Sequence, residues 1–523
     1  MPVSGEKYDV VIVGMGPVGS AAAIFADRAG LRVCAIDKAP DVFPLPRATH
    51  FDAEIMRLFH SAGLSEVIDP VVRTYDGGVH LGVDGEPIRD FRVPASRGPL
   101  GWYPHYTFLQ PELDRVLREQ AAASPRVICR LGAEVVNVRD TGDEVELDVA
   151  AEGTLETVHA RYVIACDGAS SPIRKSLGVR LADYGFDERW LIVDVRVPEP
   201  ELLPDYSIMW CDPSRPATYI PQPRNHRRWE FMLLDGESAE EMTGREAIDR
   251  LLKRSVDPTG VEIVRSAVYR FHGLITESWR VGRVFLAGDA AHQTPPFYGQ
   301  GMCHGIRDVA NLAWKLGLAL REPAYETLLD SYAVERQPHV RTIIDASVEN
   351  GRYICMLDRA EALERDRRLR ERLASGADVR SFRSVIPGLT AGLLAGYIGS
   401  QRGELFIQPT VRTATGSALL DEVLGNGFAL VIEDRLPDTA QTRWFTDELG
   451  GRIVSVVPQP RTATEIADDS GALRSCFQEA GATGVLIRPD RYVFGTASGT
   501  SGAGELIDDL AGQMTARPAS HRR

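Results

Sequence analysis

The chain has no apolar run long enough to cross a bilayer as a helix, no CxxC pair, and no His/Cys cluster at metal-ligand spacing. The first absence argues against a helical membrane protein. The second excludes a zinc ribbon or a dithiol redox motif. The third leaves no metal expected. The seven cysteines are scattered at 34, 129, 166, 211, 303, 355 and 476, which suits a reducing compartment. Basic residues are also few: 59 Lys and Arg against 73 Asp and Glu give a net charge of −14. That balance argues against a nucleic-acid surface. No charged-then-apolar leader precedes the first strand, so a soluble, cytoplasmic protein with no membrane partner is expected. At 523 residues the chain is too long for one small domain.

What is present is concentrated between Tyr8 and Asp37. An apolar run, Val10 to Val13, enters Gly14-Met15-Gly16-Pro17-Val18-Gly19; a small-residue helix and a second strand follow, and the strand ends in Asp37. Gly14 permits the tight turn, Gly16 lets backbone approach a pyrophosphate, and Gly19 lets the helix pack against the strand. The helix N-terminus favours negative charge, and Asp37 can accept from ribose hydroxyls. The order of parts points to dinucleotide binding, with FAD and NAD both open at this stage.

Further along, Lys38 and the proline-rich loop to Pro46 present Arg47 near the mouth of that site. Gln110 opens a helix, where its amide could meet a ribose or phosphate. Cys166-Asp167-Gly168 and Ser171 to Arg174 form a second strand-to-turn site, in which an Asp167–Arg174 pair is expected to hold the turn. Residues 182 to 270 are rich in β-branched and aromatic runs and read as an antiparallel sheet, a wall for a ligand pocket. Gly288-Asp289 ends a buried strand, and Pro296, Gly299, Gly301 and Met302 form a glycine-rich turn opening a long helix. Residues 325 to 375 read as helical, with a stop at Pro338 and a charged, solvated segment over Glu361–Arg372. Beyond 401, strands alternate with helices as in a small α/β domain.

Three motifs then stand together: Gly14-x-Gly16-x-x-Gly19, Asp167-Gly168-x-x-Ser171-x-x-Arg174, and Gly288-Asp289 with its glycine-rich helix start. The set resembles the flavin-dependent aromatic hydroxylases, the single-component class A FAD monooxygenases, over nearly the whole chain. Phe297 to Cys303, Ile306 to Leu316 and Glu335 to Pro338 most resemble the 3-(3-hydroxyphenyl)propionate and phenol hydroxylase group. The resemblance implies an α/β chain: a split Rossmann-type FAD-binding domain (1–181 and 271–400), an inserted antiparallel-sheet substrate domain (182–270) and a thioredoxin-like C-terminal domain (401–523). That last domain lacks CxxC and is expected to be structural, at a homodimer contact. The implied cofactor site comprises Gly14, Gly16, Gly19, Asp37, Lys38, Arg47, Gln110, Asp167, Asp289, Pro296, Gly299, Gly301 and Met302. Cys303 stands where the family often has Asn, which leaves the polar contact there to backbone or His304.

The implied reaction is NADPH- or NADH-dependent hydroxylation of a phenol ortho to its hydroxyl by O2, through a flavin hydroperoxide. A phenolic acid like 3-(3-hydroxyphenyl)propionate is the first expectation, and a larger aromatic polyketide or antibiotic the alternative. A non-catalytic FAD-binding protein is the rival of another class; a halogenase is disfavoured because no WxWxIP-like segment is present. For the phenol's proton the candidates are His50, His105 and Tyr219, with Tyr106 and His226 behind them. His292 and His304 are expected to orient backbone.

Overall fold

The computed structural model describes residues 7–93, 96–376, 386–397 and 401–515. The expected 380–400 linker lies partly outside them.

The first sheet is built on four parallel pairings. The strand Lys7–Val13 lies between Thr154–Ala165 and Val33–Asp37; Val284–Leu286 extends one side and Val127–Leu131 the other. Such strands are buried on both faces and read as continuous apolar runs. Val10, Val11, Ile12, Val163, Ile164 and Phe285 are all fully buried. The consequence lies at the carboxyl ends. Gly14, Asp37, Asp167 and Asp289 each follow or end a strand on the same edge, the usual crevice for a ligand in an open α/β sheet.

The second sheet has eight strands and reaches beyond the expected 182–270 segment. Its core is Leu181–Arg196, His226–Met232 and Glu262–Thr276, but it also takes in Gly78–Leu81, Pro87–Asp90 and His292–Gln293. The link is a parallel pairing of Ser207–Trp210 with Gly78–Leu81, a contact between segments far apart in sequence that no local pattern announces. Side chains alternate across this sheet. Leu191, Val193, Trp229 and Phe231 pack on the helix Arg245–Leu252, while Ile192, Thr218, Arg228 and Glu230 face the other way.

A small antiparallel sheet joins His50–Asp52, His105–Phe108 and Val72–Thr74. The C-terminal sheet runs Glu465–Ile466, Arg452–Val456, Ala429–Ile432, Gly484–Ile487, Val493–Ala497, with helices on its faces. Leu430, Ile432, Leu486 and Phe494 face the last helix through Leu506, Ile507 and Leu510.

Two helical expectations change. The helix Ser331–Ile354 runs straight through Pro338. Proline removes the N–H that would serve the carbonyl of residue 334, and Val334 is 50% exposed, so water can serve it. The charged helix Arg359–Ala374 is not wholly solvated: Arg365 and Asp366 are buried, Arg365 donating to the carbonyls of Tyr353 and Cys211 and Asp366 accepting from the Val83 amide.

Leu506, 1% exposed between the last helix and its sheet, tests the C-terminal core. Leu506→Ala should cost about 2–5 kcal/mol in denaturant unfolding. A loss below about 1 kcal/mol would contradict the packing described.

Candidate functional site

The strand ends of the first sheet, the turn before the helix Gly301–Arg321 and the inner face of the second sheet enclose one cavity of about 920 Å3. All the cofactor candidates from the sequence lie on its wall. At one end two helices begin with no side-chain cap: Pro17–Arg28 after Gly16, and Gly301–Arg321 after Gln300. Their first N–H groups need acceptors, and an anionic ligand supplies them.

The glycines divide by what surrounds them. A Cβ at Gly19 would lie 1.8 Å from the Gly14 carbonyl oxygen, and one at Gly14 2.4 Å from that of Cys166, so those two serve packing. A Cβ at Gly16 or Gly301 would meet nothing within 4 Å; it would occupy space that a ligand can take. Arg118 adds to this fit. Its Nε donates to the Met15 carbonyl at 2.7 Å and its Nη2 to Asp37 at 3.1 Å, while its buried Nη1 has no partner among the described residues. These features together suit a dinucleotide carrying phosphates.

Several candidates are already engaged. Asp37 accepts from the amides of Met15 at 2.6 Å and Ala39 at 2.8 Å, in addition to Arg118. The Gln110 amide is turned away from a ligand role: Oε1 accepts from the amides of Arg47 and Ala48 at 2.8 and 2.7 Å, and Nε2 donates to Asp114. Gln110 therefore fixes the loop that presents Arg47, whose guanidinium lies over Phe43. The same loop is held from the second sheet. Arg228 donates to the carbonyls of Pro46 and Arg47, Arg265 donates to that of Pro46, and Asp194 takes the Arg228 fork.

The expected Asp167–Arg174 pair does not form. Asp167 accepts from the Ser171 hydroxyl and the Ile173 amide, capping the helix Pro172–Ser176, while Arg174 donates to the carbonyls of Ala290 and Ala169. Burial raises the Asp167 carboxyl. Asp289 is exposed only to the cavity it lines, and the surrounding wall raises its carboxyl too.

The second sheet's side of the cavity is a mixed chamber, with apolar Ile192, Met209, Ile220 and Phe271 from the sheet and Phe297 from the turn beside polar Arg89, Thr218, Arg228, Glu230 and Arg265. Of the proton-transfer candidates, His50 and His105 line it. They are diagonal neighbours on one face of the small sheet, with His50 Nε2 at 3.2 Å from His105 Nδ1. Tyr75, which no sequence signal marked, packs against both rings and lines the cavity. Burial holds both histidines below their ordinary value, His105 at about 3.

Tyr219, Tyr106 and His226 do not reach the cavity. Tyr219 lies on the outer face of its strand, in the helix-packed core, and its hydroxyl donates to the Pro204 carbonyl. The neighbouring Thr218 and Ile220 take the inner face. The Tyr106 hydroxyl accepts from the Tyr103 amide, and His226 accepts from Arg196. His292 and His304 also lie off the wall: His292 Nε2 is 2.7 Å from Asp308, and His304 packs beside Arg336. At the departure from the family pattern, the Cys303 thiol points at the carbonyls of His50 and Gly299, at 3.8 and 3.7 Å.

Sequence reasoning missed Asp114 and Arg118, although successive steps of four from Gln110 put all three on one helix face. It also missed Arg307, three percent exposed. Its Nε donates to Glu54, its Nη1 to Gln300 and its Nη2 to Asp52, at 2.7, 2.8 and 2.7 Å. Gln300 in turn donates to Asp52 at 3.1 Å.

Comparison with known proteins gives a consistent result. Residues 7–347 match the FAD binding domain family, and residues 403–513 match the HcaD C-terminal domain. A probable NADH-specific resorcinol 4-hydroxylase of Rhodococcus jostii is 34% identical, over 99% of this chain and 97% of that one. A 3-(3-hydroxy-phenyl)propionate/3-hydroxycinnamic acid hydroxylase of Burkholderia cenocepacia is 35% identical, over 95% of each. Among solved structures, aklavinone-11 hydroxylase with FAD and aklavinone aligns at TM-score 0.79 and 21% identity, over 98% of this chain and 99% of that one. The flavin-dependent monooxygenase PieE, with FAD and substrate, aligns at TM-score 0.80 and 21% identity, over 98% and 100%. These last two speak for the fold.

The buried histidines give the site a pH signature. His50, His80 and His105 are all held below 6.5, the last two at about 3. On acidification the unfolded chain takes up protons that the folded protein refuses. Stability from this source is complete above about 6.5 and is lost as pH falls toward 3. The buried carboxyls of Asp114 and Glu230, raised to about 7, act in the opposite sense over this window, but with His304 and His339 also held low the histidines outnumber them, and the melting temperature should fall from about pH 6.5 downward. A flat profile from 6.5 to 5 would contradict it.

Proposed function

The chain belongs to the FAD binding domain family, among the flavin-dependent aromatic hydroxylases, and on that premise we propose that it uses FAD, NADH or NADPH, and O2 to hydroxylate a single-ring phenol ortho to its hydroxyl. The observation that carries this reading is the continuity of one cavity, from two uncapped helix starts to a sheet-walled chamber with aromatic and aliphatic side chains and the His50–His105 pair. The curated relatives at 34% and 35% identity carry the names of a resorcinol and a phenylpropionate hydroxylase, which favours a small phenol over a bulky polyketide. NADH is preferred as donor because the first of them is named NADH-specific.

Gly16 and the first N–H groups of Pro17–Arg28 would hold the pyrophosphate, with Gly14 shaping the turn and Asp37 and Arg118 at the adenosine ribose. Asp289 would meet the sugar-alcohol hydroxyls, and the turn Gly299–Met302 the flavin's pyrimidine edge. When bound, FAD supplies hydride uptake from the nicotinamide and activation of O2 for transfer of one oxygen atom. The chain's own task is to orient the phenol, exclude water and accept the hydrogen bond of its hydroxyl.

The tautomers of the histidine pair give that proton a direction. The Gly299 carbonyl can only accept, so the 3.5 Å contact from His50 Nδ1 assigns the hydrogen there and leaves His50 Nε2 as acceptor. His105 Nδ1 then donates to it, which places the acceptor of that neutral ring at Nε2. A phenol donating to His105 Nε2 gains negative charge on its oxygen, which makes the ortho carbon nucleophilic. Burial keeps both rings neutral, which preserves the acceptor at neutral pH, and because it also lowers their basicity the pair polarises the phenol O–H through that hydrogen bond without holding the proton as an imidazolium.

The division of labour is read as an FAD-binding domain split between 1–181 and 271–400, a substrate domain over 182–270 with strands borrowed from 78–90, and a thioredoxin-like domain from 401. The mixed five-stranded C-terminal sheet with helices on both faces supports that last assignment.

Two variants test the reading. Gly16→Val, which fills the open cradle, should abolish retention of yellow cofactor on purification. His105→Ala should keep FAD but lower phenol-dependent kcat/KM by about 100-fold, the typical worth of a positioned proton acceptor. The assay is NADH consumption stimulated by resorcinol or 3-(3-hydroxyphenyl)propionate, with product mass higher by one oxygen. Unchanged turnover in His105→Ala would remove the histidine from the mechanism.

A further inference from the structure

The turn Gly299–Met302 has few means of holding its own position. Two of its four residues are glycines, Gly299 takes a left-handed φ of 61°, and Met302 lines the cavity. Beside the weak contacts of His50 Nδ1 and the Cys303 thiol with the Gly299 carbonyl, the turn's own Gln300 ties it to the body of the protein, and both ends of its amide are used. Oε1 accepts from Arg307 and Nε2 donates to Asp52. Exchanging the amide's oxygen and nitrogen would set donor against donor at Arg307, so one orientation is allowed.

Arg307 is itself held by Glu54 at 2.7 Å, and the other oxygen of Glu54 accepts from the Tyr492 hydroxyl at 3.0 Å. Tyr492 belongs to the C-terminal part of the chain, 438 residues from Glu54 in sequence. It is 5% exposed and held firmly on both sides. It bridges to Leu405, and its neighbour Arg491, at φ 71°, donates to the Gly425 carbonyl at 2.6 Å. The helix carrying Glu54 is docked on the same domain by Arg57, whose Nε and Nη2 fork onto Asp421 at 2.7 and 2.8 Å. An unbroken line of buried hydrogen bonds thus runs from the C-terminal domain to the turn beside the cavity.

We infer that the C-terminal domain sets the position of the Gly299–Met302 turn through the chain Tyr492–Glu54–Arg307–Gln300, and that Tyr492 is a positioning residue for the flavin. The inference rests on the reading that this turn faces FAD. The C-terminal domain is then part of the cofactor site's scaffold as well as an appended fold. A second arm of the same interface supplies the control. Asn311, further along the helix Gly301–Arg321, donates to Asp490 at 2.9 Å and Glu335 at 2.7 Å, and has no bond to the turn.

The test is equilibrium FAD binding by the full-length apoprotein, with the midpoint potential of the bound flavin measured anaerobically. Tyr492→Phe leaves a buried carboxylate oxygen without its donor, and FAD Kd should rise about five-fold or more with a shifted potential. Asn311→Ala should lower the melting temperature while leaving both flavin readouts at wild-type values. Glu54→Gln, which removes the charge gripping Arg307 and changes the acceptor of the Tyr492 hydroxyl, interrupts the same line one step nearer the turn and should move the flavin readouts in the same sense as Tyr492→Phe. The inference is overturned if Tyr492→Phe and Glu54→Gln bind FAD with wild-type Kd and potential, or if Asn311→Ala shifts them equally. A wild-type protein that takes up no FAD would overturn the flavin reading as well.

Discussion

The guanidinium of Arg307 is the interaction on which the site depends. Removing a cation from water is costly, and a buried ion pair repays that cost only when its geometry is good and its remaining donors are used. Here Asp52 and Glu54 neutralise the charge, and Gln300 takes a further donor. A lysine at this place would present a point charge, not a planar fork, and could not meet three differently placed acceptors so well. The fork joins the strand His50–Asp52, the helix Ala53–Ser61 and the turn that opens Gly301–Arg321. Because His50 sits two residues before Asp52, the same bond that locates the turn also locates the histidine pair on the chamber wall.

A second junction works from the opposite side of the cavity. The proline-rich loop cannot hold itself, since its prolines lack N–H groups. Its carbonyls at Pro46 and Arg47 are taken by Arg228 and Arg265 of the chamber sheet, and its amides at Arg47 and Ala48 by Gln110. The cofactor side and the chamber side are thereby tied through one short segment. Asp194, fully buried beneath the two arginines, keeps that junction charged and rigid.

How far the sequence reveals this follows from the range of each interaction. The glycine turn, the acid at Asp37, Gly288-Asp289 and the alternating C-terminal pattern are local, and their residues stand where local rules put them. Arg47 and Gln110 were legible as neighbours of the site, but the destination of the Gln110 amide depends on a loop 63 residues away. Tyr219 shows the limit of strand reading. Thr218, Tyr219 and Ile220 alternate, and the face each takes depends on register against strands elsewhere; the bulkiest ring went to the packed side. The place of the strands at 78–90 in the second sheet has no local signal, because a parallel pairing with Ser207–Trp210 leaves no turn between the partners. The Arg307 network is the extreme case, with partners on segments hundreds of residues apart. Its one local trace is the spacing of Arg307, Asn311 and Lys315, polar residues four apart on a helix face that is otherwise buried.

The most direct test of this account is FAD affinity in Arg307→Lys, which keeps the charge and removes the fork. The account expects a folded protein whose FAD Kd rises at least about ten-fold, the equivalent of roughly one lost charge-assisted hydrogen bond. An Arg307→Lys protein that holds FAD as tightly as wild type would contradict it.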